Sequence, residues 1–116
     1  MAMKKIEAMV RKERFSTIDE ALKKIGVGRL TYFEVEGRGR AKGEEMVSDR
    51  GTKTYHPEYI ERIKVEIIVR GKDAQNVIDA IIDSASTGSI GDGKLYVYPI
   101  DRVYDIASKK DGEEGI

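Results

Sequence analysis

The stretch IERIKVEIIVR, from Ile60 to Arg70, is the clearest strand in this sequence of 116 residues. Positions 63, 65, 67 and 69 are apolar and positions 62, 64, 66 and 70 are charged, with Ile68 as the exception. Such alternation is typical of a strand that buries one face and leaves the other polar. The stretch therefore predicts a sheet with Arg62, Lys64 and Glu66 on its polar face. That face is usually solvated, and in a ring-shaped oligomer it would line a central cavity.

Outward from this strand, the sequence predicts two amphipathic helices. The helix after the strand is expected to be capped by Asp73. Its apolar side is formed by Ala74, Val77, Ile78, Ile81, Ile82 and Ala85. The helix before the strand has Ser16 as its expected N-cap and Gly26 as its end. Its apolar residues follow the spacing i, i+3, i+4, i+7 and are Ile18, Ala21, Leu22 and Ile25.

Three more strands complete the pattern. They are predicted over Met3–Val10, Leu30–Glu36 and Leu95–Ile100. The order strand, helix, strand, strand, helix, strand is typical of an α+β, ferredoxin-like βαββαβ fold with an antiparallel sheet. A chain of this length forms one domain, so residues 1–116 are predicted to be a single domain. The polar tail after Ser108 is expected to fray.

Charge and hydropathy exclude several classes of partner. The 21 basic residues are balanced by 21 acidic ones, so no general attraction to nucleic acid or to an anionic membrane is expected. No apolar run is long enough to span a membrane, so the protein is not expected to be membrane-embedded. The first residues do not resemble a signal peptide, and a cytoplasmic protein is predicted.

The residue types also exclude several kinds of chemistry. Cysteine is absent, which rules out disulfides, thiolate nucleophiles and zinc–thiolate or iron–sulfur sites. His56 is the only histidine, so no metal site is predicted. The sequence contains no recognisable nucleophile–base pair or carboxylate pair, so no catalytic residue is predicted and the protein is not expected to be an enzyme.

A long polar segment, residues 38–59, separates the two middle strands. It has no hydrophobic periodicity, and loops longer than about 12–15 residues usually carry a function in compact domains. A tolerated insertion is the alternative. The segment at its root is Gly37-Arg38-Gly39-Arg40-Ala41-Lys42-Gly43, in which glycines and cations can surround an anion or remain solvated. Tyr55 near its tip is either a partner contact, a modification target or a residue that packs the loop on its base.

A second glycine-rich segment, TGSIGDGK from Thr87 to Lys94, opens the last strand. Three glycines within six residues allow a sharp turn and a close approach of the backbone to a ligand. Successive N–H groups in such a turn form an anion-binding concavity, and Lys94 adds a charge suited to phosphate. An ordinary glycine-containing turn is the alternative. The segment is not a Walker loop, because its lysine leads into a strand and not into a helix.

Three stretches of the sequence resemble the PII nitrogen-regulatory signal proteins of the GlnB/GlnK type. Lys4–Ala8 resembles the start of their first strand, and Thr31–Gly43 resembles the segment that leads into their T-loop. Thr87-Gly88 together with Ile90–Lys94 is similar to their B-loop signature almost residue for residue. By this resemblance, residues 38–59 are the T-loop, residues 87–94 the B-loop and residues 105–116 the C-terminal segment.

The resemblance implies a homotrimer with ATP or ADP in the clefts between subunits. The positions that match nucleotide contacts of the family are Thr31, Gly37, Arg38, Gly39, Arg40, Glu66, Ile68, Gly91, Asp92, Gly93 and Lys94. Lys42 and Arg62 match effector-binding positions, and Tyr55 is nearest to a tyrosine that some members have modified. The partners implied are an ammonium channel or a regulated enzyme, which the T-loop would contact.

The sequence departs from the family pattern at several ligand positions. The family's glutamine after the T-loop-root arginine, which contacts magnesium and 2-oxoglutarate, is Ala41 here. The arginines that grip the ATP phosphates across the interface are replaced by Asp105 and Ala107, and a B-loop lysine is replaced by Ser89. Sensing of 2-oxoglutarate with magnesium is therefore not carried over from the family, and ADP or AMP is an alternative to ATP.

Two functions agree with these observations. The first is a regulator of nitrogen metabolism or ammonium transport that binds adenine nucleotide and acts through its T-loop. The alternative is a divergent PII-like regulator of another transporter or metabolic system that does not sense 2-oxoglutarate. A small enzyme would need a catalytic group that the sequence lacks, and a purely structural trimer would leave the long loop without a role.

Overall fold

A computed structural model of the chain describes residues 2–39, 46–47, 54–55 and 58–116. Within those ranges the elements are β1 (Met3–Arg11), α1 (Phe15–Lys24), β2 (Thr31–Gly37), β3 (Met46–Val47), β4 (Thr54–Tyr55), β5 (Ile60–Arg70), α2 (Ala74–Ala85) and β6 (Gly93–Ile100). The strand predicted over Ile60–Arg70 has the predicted bounds, and the other three predicted strands differ by one or two residues at their ends.

Four strands form the main sheet in the order β2-β5-β1-β6, and every neighbouring pair is antiparallel. β1 and β2 therefore run parallel to each other on the two sides of β5, and α1 lies between them in the chain. β5 and β6 are related in the same way across β1, with α2 between them in the chain. This is the predicted ferredoxin-like arrangement, so the predicted fold class is confirmed.

The core lies between the two helices and one face of the sheet. The predicted alternation is confirmed, because residues 63, 65, 67 and 69 of β5 are all buried. They form one cluster with the apolar residues of β1 and of both helices. Ile6 of β1 and Ile18 of α1 have no exposed surface, so they mark its centre. Neither α-helix in the described part of the chain has the length and apolar composition that crossing a membrane requires.

Both helices begin differently from the prediction. Ser16 is not the N-cap of α1 but lies inside the helix, which begins at Phe15. A 3-10 turn precedes the helix, and the N–H of Phe15 donates to the carbonyl of Lys12 within it. Asp73 does occupy the N-cap position of α2, but its side chain makes no capping hydrogen bond. A 3-10 turn again leads into the helix, so backbone carbonyls take the place of the capping side chain.

The end of α1 confirms the prediction for Gly26. The glycine has a φ of +88°, and its N–H donates to the carbonyl of Lys23 at 3.1 Å. The N–H of Val27 donates to the carbonyl of Leu22 at 3.0 Å. These two bonds are the Schellman motif, which favours glycine because it requires a positive φ.

Two residues predicted on the apolar sides of the helices lie outside the core. Ile25 is 47% exposed because α1 ends one residue before it and the chain turns away. Ile82 is 48% exposed on α2, beside the fully packed Ile81. It borders a small apolar cleft of about 160 Å³ between α2 and β6.

Two segments predicted to lack structure contain ordered pairing. The long loop holds a short antiparallel pair in which Met46 lies opposite Tyr55. The tail after Ser108 does not fray, because Tyr104 pairs with Asp111 and a 3-10 turn follows at Gly112–Gly115. Polar composition alone suggested disorder there, whereas backbone hydrogen bonds between the two arms of the hairpin hold the segment.

Candidate functional site

One end of the main sheet gathers most of the predicted site. β1 and β2 end here, at Arg11 and Gly37, and β5 and β6 begin here. The register places Arg11 opposite Arg62. The glycine-rich loop 87–94, the root of the long loop and Arg62 therefore all lie at this end of the strands, which we call the loop end of the sheet.

The carboxylate of Asp92 organises the glycine-rich loop. Its Oδ2 atom accepts hydrogen bonds from the N–H groups of Thr87, Gly88 and Ser89 at 2.7, 2.9 and 3.3 Å. Its Oδ1 atom accepts from the Thr87 hydroxyl at 2.5 Å and from Nε of Arg11 at 3.2 Å. The predicted anion-binding concavity is thus present, but the anion inside it is a carboxylate of the loop itself.

These donors stabilise the ionised form of Asp92. Hydrogen bonds from Thr87, together with those from Arg11 and Ser89, hold the pKa of the Asp92 carboxyl well below its usual range. A group with a lowered pKa stabilises the folded protein at pH values above its unfolded-state pKa, which is about 3.9 for aspartate. That contribution is lost as the pH falls toward the folded-state pKa.

The lowered pKa of Asp92 determines how the stability of the protein changes with pH. As the pH falls below about 4, we expect the wild-type protein to lose stability more steeply than the Asp92→Asn variant. The unfolded chain takes up a proton at Asp92 in this range and the folded chain does not, so acid favours unfolding. The measurement is the urea midpoint between about pH 7 and about pH 2.5. Equal slopes would contradict the prediction, and Asp83→Asn on the exposed side of α2 is the matched control.

Gly93 brings β6 close to β1 at the end of the same loop. Its φ is +117°, and a Cβ atom at this position would lie 1.8 Å from the carbonyl oxygen of Met9. Only glycine combines this backbone conformation with the absence of a side chain. The close approach expected of this glycine is therefore made to a neighbouring strand, and its contact with a nucleotide stays a prediction.

The root of the long loop is closed by an ion pair. Nη1 of Arg38 donates to Oε1 of Glu58 at 2.8 Å, so the first and last parts of the loop are joined. The Arg38 guanidinium also lies 6.0 Å from the ring centroid of Tyr59. Both members of the ion pair are well exposed, so its contribution to stability is small, about 0.2–1 kcal/mol. Gly39 follows, exposed to solvent.

Three further predicted site residues lie in the long loop, of which the structure describes only part. Arg40 and Lys42 lie outside the described residues. Tyr55 lies in β4 opposite Met46, and the backbone alone is described there. Their predicted roles in nucleotide binding, effector binding and modification stay predictions.

Two arginines lie side by side at the loop end. Arg62 is half-buried, and this burial, together with the charge of the neighbouring Arg11, lowers its pKa. Glu13 and Asp92 partly offset the effect. A half-buried cation beside a second cation favours an anionic ligand at this position. Within the described ranges, no three acidic or histidine side chains come together as a metal site.

The remaining predicted residues lie in a separate pocket. Thr31, Glu66 and Ile68 line an open pocket of about 370 Å³ together with Lys5 and Arg29. Nζ of Lys5 lies 2.9 Å from a carboxylate oxygen of Glu66, and this hydrogen bond raises the pKa of Lys5. In the register of the sheet, Thr31 is opposite Glu66.

The two groups are well separated on a single chain. Glu66 is four residues from Arg62 along β5, which corresponds to about 14 Å in an extended strand. One copy of the chain therefore has two separate groups of predicted site residues, which we call half-sites, one at the loop end and one at the pocket. The predicted nucleotide-binding residues do not form one compact site within a subunit.

One oxygen of the Asp105 carboxylate is used within the C-terminal hairpin. Its Oδ1 atom accepts hydrogen bonds from the N–H groups of Ala107 and Ser108 at 2.9 and 3.1 Å. These bonds, with a contribution from the charge of Arg29, lower the pKa of the Asp105 carboxyl. Asp105 therefore has a structural role in this turn, and Arg29 is a cation close to it.

Several residues at these two places were missed by sequence reasoning. Arg11 lies 81 positions from Asp92 in the chain, and only the pairing of β1 with β6 brings them together. Lys5, Arg29 and Glu58 were also missed. Charged residues are so frequent in this sequence that no local pattern distinguishes these four from solvated ones.

A comparison with protein families identifies the family of the chain. The family model described as "Nitrogen regulatory protein P-II" matches residues 3–110. The chain belongs to the PII family. Members of this family are signal-transduction regulators and not enzymes, which agrees with the lack of a predicted catalytic residue. The resemblance read from the sequence is thereby confirmed.

Curated PII proteins match along almost their whole length. The nitrogen regulatory protein P-II of Haemophilus influenzae is 38% identical over 114 residues, and that of Pasteurella multocida is 37% identical. Both matches cover 98% of this chain and 100% of the relative. The PII protein of Rhizobium meliloti is 36% identical over the same share.

Solved PII structures share the fold. The structure of GlnK from B. subtilis has a TM-score of 0.80 and 34% identity, and the match covers all of both chains. PII of Arabidopsis thaliana bound to citrate has a TM-score of 0.80 and 31% identity, over 99% of this chain and 92% of that one. The B. subtilis GlnK–ATP complex has a TM-score of 0.79 and 30% identity, over 99% and 98% of the two chains.

Proposed function

We propose that this PII protein binds an adenine nucleotide between subunits of a homotrimer and regulates a partner through the loop 38–59. The observation that carries the proposal is the loop end of the sheet. There the glycine-rich loop, with Lys94 at its end, lies at the same end of the sheet as the root of the long loop and the cation Arg62. A nucleotide that bound at this end and contacted both loops would act directly on the long loop.

The separation of the two half-sites supports a site shared between subunits. In this proposal, a nucleotide at the loop end of one copy contacts the Thr31 and Glu66 pocket of a second copy, because the two groups are about 14 Å apart along one strand. Both edge strands of the sheet carry exposed large apolar residues. These are Tyr32 and Phe33 of β2 and Tyr96, Val97 and Tyr98 of β6.

The position of these apolar residues favours a ring. The two exposed surfaces lie on opposite edges of one sheet, so contact between unlike edges joins copies head to tail. Such contacts form a closed ring when the rotation between copies permits it. Three copies are what the family resemblance implies, and each cleft would then combine the loop end of one copy with the pocket of its neighbour.

Regulation would proceed by a shift between loop conformations. Arg38 is held by Glu58, and this exposed pair is weak enough to be exchanged for a phosphate contact. A ligand that contacts the root in one loop conformation increases the population of that conformation. Partner affinity then changes by the same coupling free energy. The partner would be an ammonium channel or a regulated enzyme, in the cytoplasm.

A divergent PII regulator that does not sense 2-oxoglutarate is the second candidate. Asp105 replaces an arginine of the family pattern, and its carboxylate bonds the amides of Ala107 and Ser108. It therefore supplies no cation to the nucleotide. With Ala41 in place of the family's glutamine, these observations favour a partner system outside nitrogen control and a nucleotide of lower charge, ADP or AMP.

Calorimetric titration tests the nucleotide proposal. We expect the wild-type protein to bind at least one of ATP, ADP and AMP, and Lys94→Ala to weaken that binding by roughly 10-fold to 100-fold. The loss follows from removing a cation that contacts a phosphate. Lys24→Ala, in the exposed last turn of α1, is the matched control and is expected to bind as the wild type does.

The outcome also separates the two candidate functions. Absence of binding for all three nucleotides would refute the nucleotide proposal. Addition of 2-oxoglutarate with magnesium and ATP decides between the candidates, since a bound 2-oxoglutarate favours nitrogen control and its absence favours the divergent regulator.

A further inference from the structure

The glycine-rich loop is folded around its own carboxylate. Three successive backbone N–H groups, those of Thr87, Gly88 and Ser89, converge on one oxygen of Asp92. Successive amides that converge in this way form a nest, which normally binds an external anion. Here the nest is occupied from within the chain, so a phosphate cannot use the same three amides while Asp92 remains in place.

Arg11 fastens this nest to the sheet. Its Nε atom donates to Oδ1 of Asp92 at 3.2 Å, and its Nη2 atom donates to the carbonyl of Ile90 at 3.4 Å. The two charged side chains are only 26% and 20% exposed, so the pair is better shielded than the ion pair at the root of the long loop. A segment with positive-φ glycines at positions 88, 91 and 93 has many accessible conformations, and the pair restricts them.

The outer part of the loop contains backbone N–H groups that face no acceptor in the described part of the chain. Among the residues that the structure describes, the N–H groups of Ile90 and Gly91 donate to no acceptor. Ile90 is largely exposed, and the exposed Lys94 follows a few residues later. An acceptor that reached these amides from solvent would therefore meet two N–H groups, and the cation of Lys94 follows three residues after Gly91.

We propose that Asp92 and Arg11 are positioning residues, which hold the glycine-rich loop in the shape that presents Ile90, Gly91 and Lys94 to a phosphate group. The proposal rests on the proposed nucleotide site. It assigns Asp92 a different role from the direct ligand contact expected from the sequence. The acceptor capacity of its carboxylate is used within the loop, and its negative charge would repel a phosphate at short range.

The first test needs no nucleotide. Amide hydrogen exchange of the full chain should show protected N–H groups at Thr87, Gly88 and Ser89 in the wild type. Asp92→Asn and Arg11→Gln should each remove that protection and leave exchange in the core strands unchanged. The matched control is Asp83→Asn on α2, which should exchange as the wild type does. Unchanged protection of the three amides in both variants would overturn the proposal.

The second test separates positioning from general damage. The dissociation constants of ATP and of adenosine are measured for each variant. Asp92→Asn and Arg11→Gln should each raise the dissociation constant of ATP by about tenfold or more. Each should change the dissociation constant of adenosine by less than about twofold, because in this proposal the loop contacts only the phosphates. The double variant should lose little beyond either single one, because the two residues act as one unit.

The remaining outcomes are also decisive. An equal loss of affinity for ATP and for adenosine would indicate a structural defect and overturn the positioning role. Full affinity for ATP in both variants would also overturn the proposal. If the wild type binds neither ligand, the proposed nucleotide function fails. Hydrogen exchange then decides by itself whether the pair holds the loop.

Discussion

Replacement of Gly93 by alanine is expected to lower the free energy of unfolding by about 3–5 kcal/mol. A Cβ atom at this position would lie 1.8 Å from the carbonyl oxygen of Met9, which is backbone and cannot rotate away. The φ of +117° is in addition unfavourable for any residue with a side chain. Relief of the clash would separate β6 from β1 at the start of the strand. The measurement is urea unfolding followed by circular dichroism at fixed protein concentration.

Gly88→Ala is the matched control for this prediction. Gly88 lies in the same loop with a φ of +81°, but an added Cβ would meet nothing within 4 Å. Its substitution should cost about 1–2 kcal/mol, the penalty of the left-handed conformation alone. The difference between the two variants measures the clash with Met9. If both variants lose the same stability, the close approach of the two strands is contradicted.

Ile6→Ala is expected to lower the free energy of unfolding by about 3–4 kcal/mol. Ile6 has no exposed surface, and it lies on β1, which pairs with a strand on each side. Its truncation leaves a cavity that neighbours on two paired strands cannot fill by moving. The same urea titration provides the measurement.

Ile25→Ala serves as the control of the same residue type. Ile25 follows the last residue of α1 and is 47% exposed, so its loss should cost less than about 1 kcal/mol. An equal loss for the two isoleucines would mean that Ile6 is not at the centre of the core. Because unfolding of an assembly depends on concentration, both variants are compared with the wild type at one protein concentration.

The strands and their faces were predictable because burial leaves a direct pattern in the sequence. A strand with one buried face must alternate, and β5 alternates from Arg62 to Arg70 with Ile68 as the exception, so its bounds and its buried residues were both correct. Gly26 was predictable for a similar reason, since the chain reverses there with a φ that favours glycine. Both are local requirements that a single stretch of sequence can express.

The helix starts and the C-terminal segment were less predictable because their hydrogen bonds come from the backbone. The 3-10 turns that precede α1 and α2 satisfy the first amides without a side chain, so Ser16 gave a false indication. The hairpin that pairs Tyr104 with Asp111 contains few apolar residues. Composition therefore suggested disorder where backbone pairing gives order.

The candidate site was predictable in its segments but not in its contacts. The glycine-rich loop was identified because its spacing of glycines and lysine is itself the chemical feature. The contact between Arg11 and Asp92 depends on the register of β1 with β6, which no local pattern encodes. For the same reason the sequence suggested that Asp92 faces a ligand, whereas its carboxylate faces the amides of its own loop.

The placement of Arg62 and Glu66 on one strand has a consequence for the whole ring. In the proposed trimer, Arg62 of each β5 lies in one cleft and Glu66 of the same strand lies in the next cleft. Each β5 therefore connects two ligand sites. This connection is rigid, because β5 is hydrogen-bonded on both sides, to β1 and to β2. A displacement of the strand at one cleft is therefore transmitted to its neighbour, and by linkage the neighbour acts back with the same free energy. Occupancy of one cleft would then change the affinity of the other two, so the three clefts would not be independent.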